Sequence, residues 1–74
     1  MNGYHRGFAP VHEAVLYANV DYLSALLELG ANPDLPIRRP EKQYDGFNAY
    51  EFAELLESRD PEVFRDVRAE LESS

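Results

Sequence analysis

The sequence predicts an all-α fold, a short stack of two helix-turn-helix units joined by a long hairpin-like arm. Three observations predict it. Gly7-Phe8-Ala9-Pro10-Val11-His12-Glu13-Ala14 opens a frame that begins again at Gly46-Phe47-Asn48-Ala49-Tyr50-Glu51-Phe52-Ala53, and self-similarity of this kind is the mark of stacked repeats. Apolar residues recur at helical spacing in four segments. The three prolines Pro33, Pro36 and Pro40 exclude helix from the connection between the second and third segments.

Each helix carries its own start or stop signal. Pro10 suits the first helical position, and Val11, Ala14, Val15 and Ala18 follow on one face. Asn19 is a good N-cap, Asp21 lies in the first turn, and Val20, Leu23, Leu26 and Leu27 form the second stripe. Gly30 closes it as the left-handed residue after the helix. Asn48 with Glu51 three residues on reads as a capping box, and Ala49, Phe52, Ala53 and Leu56 form the third buried stripe. Asp60-Pro61-Glu62 opens the fourth helix, with Val63, Phe64, Val67 and Leu71 on its apolar face and Arg68 spaced to pair with Glu72.

The first frame, continued through Asn19, Leu26-Leu27 and Gly30-Ala31-Asn32-Pro33-Asp34, resembles the ankyrin repeat, with its threonine-proline-leucine-histidine start and glycine-alanine-aspartate end. The resemblance implies one domain over residues 1–74: unit one at about 7–34, an arm at about 35–45, and a divergent, cap-like unit two at about 46–74. Ala9 stands where the family has threonine, so the capping hydroxyl is missing and His12 is expected to lose its usual partner. The two opening glycines are 39 residues apart, against a family period of about 33, and the excess falls in the arm.

With 74 residues and no cysteine, the core is thin and neither a disulfide nor a thiolate-zinc site supports it. The net charge of −7 disfavours direct nucleic-acid or anionic-lipid binding and favours a basic protein partner. Residues 41–74 hold 10 acids against 4 bases, −6 of that total. No apolar segment suggests a signal peptide or a membrane span, so a cytoplasmic protein is expected. Met1 and the polar end Glu70 to Ser74 suggest a complete small chain.

No nucleophile-base pair, phosphate loop or metal spacing stands out, and no enzyme activity, cofactor or metal is expected. His12 is the residue that invites a catalytic reading, but the resemblance implies that it ties turn to helix. The arm gathers Arg38, Arg39 and Lys42 with Ile37 and Tyr44, residue types that dominate interfaces, and reads equally as a plain loop. The resemblance places Phe8, Phe47, Leu16 and Tyr17 at turn tips or on the outer side of the first helices. Phe8, Glu13, Leu16, Tyr17, Ile37, Arg38, Arg39, Lys42, Tyr44 and Phe47 are therefore the candidate partner-binding residues. The expected function is a non-catalytic protein-protein interaction module. The alternative is an acidic inhibitor of antitoxin, immunity or anti-defence type that blocks a basic surface of a nucleic-acid enzyme. A homodimer through the open repeat end would supply missing layers to so short a stack.

Overall fold

Four helices form where the local signals place them. The computed structural model describes residues 3–73, so the expectations for Met1 and Ser74 lie outside the described residues. The helices are α1 (Pro10–Leu16), α2 (Val20–Glu28), α3 (Ala49–Arg59) and α4 (Pro61–Ser73). Among the described residues there is no strand, only an isolated bridge between His5 and Phe8.

Capping is local and agrees with the sequence. The Asn19 side chain accepts the Tyr22 N–H at 3.1 Å. Asn48 accepts the Glu51 N–H at 2.9 Å while Glu51 accepts the Asn48 N–H at 3.1 Å, a complete capping box. After α2, Gly30 adopts φ +92°, its N–H reaches Leu27 O at 3.1 Å, and the Ala31 N–H reaches Leu26 O at 2.9 Å. This satisfies two carbonyls the helix end would otherwise orphan, and Ala31 is buried as the accompanying apolar contact.

The end of α1 departs from expectation. Ala18 is not helical: it takes φ +54° after the C-cap Tyr17, with Ala18 N–H on Val15 O and Asn19 N–H on Ala14 O, both at 3.0 Å. The same pair of hydrogen bonds that closes α2 at glycine closes α1 at alanine, which carries a left-handed penalty of about 1 kcal/mol. The chain accepts it because Asn19 must be placed at once to cap α2. The fourth stripe also shifts. Val67 and Leu71 are buried and Phe64 packs against the core, but Val63 is 46 % exposed.

α1 pairs with α2 and α3 with α4; α1 also lies against α3, and α2 against α4. Val11, Ala14 and Val15 meet Leu23, Leu26, Phe52, Ala53, Val67 and Leu71 in one core. Ala9, Ala14, Ala49 and Ala53 are fully buried, and their small side chains let the backbones approach closely. Arg68 ties the second pair from outside, donating to Glu57 at 2.6 Å and to Glu72 at 3.1 Å.

The arm is fastened rather than loose. The Ile37 N–H donates to Phe47 O and the Gly46 N–H to Ile37 O, each at 2.8 Å, and the Arg38 N–H donates to Gly7 O at 2.8 Å. The Arg39 N–H reaches Asp45 Oδ1 at 2.9 Å across the tip. From the other side, the Tyr4 hydroxyl donates to Pro36 O.

Candidate functional site

Two of the expected contact residues turn out to hold the arm in place. Phe8 and Ile37 are 8 % and 1 % exposed. Phe8 lies at the foot of the turn where Arg6 and Gly7 both have positive φ, 56° and 87°, and Ile37 plugs the base of the arm. Burying them anchors a segment too rich in proline to hold itself by helical bonds. Tyr44 and Phe47 are half-buried against the same core. The Tyr44 and Phe52 ring centres lie 5.0 Å apart, and Phe8 lies 5.9 Å from Tyr44 and 6.0 Å from Phe52. Phe8, Tyr44 and Phe52, three of the nine aromatic residues, thus form the joint between arm, turn and α3.

His12 is fully buried and keeps a partner on each ring nitrogen, contrary to the expected loss. Nδ1 accepts the Ala9 N–H at 3.0 Å, the half of a capping box that reaches back from the helix to its N-cap. An N–H can only donate, so the neutral ring carries its proton on Nε2, which donates to Leu35 O at 2.7 Å. Burial holds its pKa below the ordinary value, opposed in part by the Leu35 bond. With both nitrogens committed to backbone, His12 joins turn, helix and arm and has none left for a substrate.

Gly7 explains how closely arm and turn meet. A Cβ there would run into the Arg38 carbonyl oxygen and the Arg39 side chain. The Arg39 guanidinium then lies 5.5 Å above the Phe8 ring centre. It donates to Glu41 Oε1 at 2.7 Å and to Arg6 O at 3.1 Å. The Glu41 bond raises the Arg39 pKa further and lowers that of Glu41. Arg38 is exposed and stacks 4.6 Å over Tyr4, and Lys42 is exposed near the arm tip.

This packing leaves a surface groove of about 290 Å³ lined by His5, Arg6, Phe8, Glu13, Leu16, Tyr17 and Arg39. It brings together five of the ten candidates: Phe8, Glu13, Leu16, Tyr17 and Arg39. Tyr17 is 73 % exposed. The remaining five lie outside it. Two lining residues are not among the candidates: Arg6 joins through the nonlocal bond from Arg39 to its carbonyl, and His5 through its paired backbone bonds with Phe8, for which the sequence signal is the turn-like Arg6-Gly7 pair between them. A second groove, of about 340 Å³, runs along α3 and is lined by Phe47, Glu51, Glu54, Leu55 and Ser58. Its signal was the i, i+3, i+4, i+7 spacing of the last four.

Among the described residues no group of three or more His, Asp or Glu side chains is placed to hold a metal ion, and no helix is long and apolar enough to cross a membrane. Neither a family model, nor a curated protein, nor a solved structure matches this chain.

Proposed function

We propose that the protein is a non-catalytic protein-binding module of ankyrin type, two stacked helix-turn-helix units that present α1 and the inserted arm to another protein. The observation that carries this reading is the groove between α1 and the arm. Its floor is the anchored Phe8 and Leu16, its rim offers Tyr17 and Arg39, and the arm beside it holds Arg38 outward on Tyr4. Tyrosine and arginine on a rigid, partly apolar support suit an interface, because little side-chain entropy remains to be lost on binding.

The test replaces Tyr17 with a photo-crosslinking phenylalanine analogue in cells that make the protein. One labelled protein species is expected, lost when Arg38→Glu is added. Labelling that is diffuse, or indifferent to Arg38→Glu, overturns the reading.

The acidic-inhibitor reading draws on a different observation, the unpaired carboxylates of the second helix pair such as Glu54 and Glu62, both exposed. On that reading association with a basic enzyme slows steeply as salt rises. Glu57 belongs to neither surface, since it is bound to Arg68.

A further inference from the structure

The two units are superimposable in sequence register but not in what covers them. The first helical residues, Pro10 and Ala49, are 39 apart, as are Gly7 and Gly46. Both glycines have the same left-handed conformation, φ +87° and +83°. In unit one the chain 35–39 lies across this turn: Leu35 O receives His12, the Arg38 N–H binds Gly7 O, and Arg39 covers Phe8. In unit two a Cβ on Gly46 would meet nothing within 4 Å, and the groove along α3 stands open beside Phe47.

The side chains lining that groove differ from their counterparts in a directed way. Glu51 and Glu54 occupy the register of His12 and Val15, both fully buried. Phe47 and Leu55 repeat Phe8 and Leu16. The open end thus keeps the apolar floor of a covered unit and adds two carboxylates, with no cation in the lining. A second copy stacked on it would have to bury both carboxylates, which costs several kcal/mol unless cations meet them. The arm arginines of a second copy are already engaged within it, Arg38 on Tyr4 and Arg39 on Glu41 and Arg6 O.

We propose that the end of the stack formed by Gly46, Phe47, Glu51, Glu54 and Leu55 binds an extended, arginine-bearing segment of a partner protein, laid on it as residues 35–39 lie on Gly7 and Phe8. Arginine suits the site better than lysine because its planar head stacks on a ring, as Arg39 does on Phe8, while donating sideways to carboxylates. The net charge of the whole molecule steers such a segment inward. This inference rests on the protein-binding reading but names a different surface and the chemistry that fills it.

The arm itself supplies the probe: a capped peptide Leu-Pro-Ile-Arg-Arg-Pro, the sequence of residues 35–40, titrated into the isotope-labelled protein and followed by amide chemical shifts. Shifts centred on Gly46, Phe47, Glu54 and Leu55 are expected, with binding weakened about tenfold by Glu54→Arg and several-fold when lysine replaces both arginines of the peptide. Glu54 is exposed, so the variant keeps its fold, and Glu54→Gln serves as a milder second variant. No shifts at millimolar peptide, shifts elsewhere, or indifference to Glu54→Arg each overturn the inference. So does a concentration-dependent dimer, seen by light scattering, that Glu54→Arg dissolves, since a second copy then fills the end. The Tyr17 crosslinking result stands apart from all of these, because Tyr17 lies outside this groove.

Discussion

His12 shows how a helix start is held when its N-cap has no side-chain acceptor. Threonine at position 9 would cap α1 with its hydroxyl; alanine leaves that bond unmade, the His12 N–H goes to Ala9 O at 3.0 Å, and the imidazole supplies the reciprocal bond by accepting the Ala9 N–H. The arrangement works only for the neutral ring, because protonation at Nδ1 would set one donor against another and place a cation in a buried site. Its folded-state pKa is lowered by burial, so the unfolded chain takes up the proton first and protonation favours unfolding. The contribution is fully present above the unfolded value of about 6.5 and is lost as pH falls from there through the lower folded value. Urea denaturation of the wild type and His12→Gln at stepped pH checks this. The stability difference between them is expected to shrink as pH drops below about 6.5, and a difference constant with pH would show that the ring does not titrate against folding.

At the scale of elements the arm decides the architecture, and Gly7 is where it is fixed. Gly7→Ala forces a left-handed alanine and drives its methyl into the Arg38 carbonyl; no flexible side chain can move to relieve that backbone clash. A loss of at least about 2 kcal/mol is expected. Hydrogen exchange should locate it, with the Ile37, Arg38 and Gly46 amides protected in the wild type and exchanging freely in the variant, while the α3 and α4 interior remains protected. Equal protection of those three amides in both proteins would mean that the arm holds without the turn. This dependence also separates what was legible in the sequence from what was not. Asn19, Pro10, Pro61 and the Asn48–Glu51 box act within one helical turn, so their residue types alone located the helix starts. Ala18 as a helix stop was hidden because alanine is a strong helix former and only the need to place Asn19 overrides it. The burial of Phe8 and Ile37 was hidden for a different reason. It follows from bonds such as Arg38 to Gly7 and Ile37 to Phe47 that span the fold, so two anchors of the arm read as contact residues. Leu16 and Tyr17 were reached through the resemblance of the first frame to the ankyrin repeat, and their i+3 and i+4 spacing from Glu13 agrees with the shared groove lining.

For the molecule as a whole, charge is the dominant unresolved strain. Acids outnumber bases 14 to 7, and residues 41–74 alone carry −6. Among the described residues the pairs that answer this are few: Arg68 with Glu57, partly buried, and with Glu72, Arg39 with Glu41, and Arg65 with Asp66, exposed and at a loose 3.8 Å. Exposed pairs contribute at most about 1 kcal/mol each, whereas repulsion among the remaining carboxylates acts over the whole second helix pair and grows as the chain compacts. Salt screens both, with a Debye length falling from about 30 Å at 0.01 M to about 8 Å at 0.15 M, and the long-range repulsion is screened before the contacts at 2.6–3.1 Å. Sodium chloride should therefore stabilise this protein. Between low salt and half-molar sodium chloride the thermal midpoint is expected to rise by roughly 2–5 °C. The double variant Glu54→Gln with Glu70→Gln should start higher and gain less, since it removes two charges that form no ion pair among the described residues. A midpoint that falls with salt would mean that the Arg68 pairs outweigh the repulsion. The acidic second half would then be a stabilising network and not a surface held ready for a cationic partner.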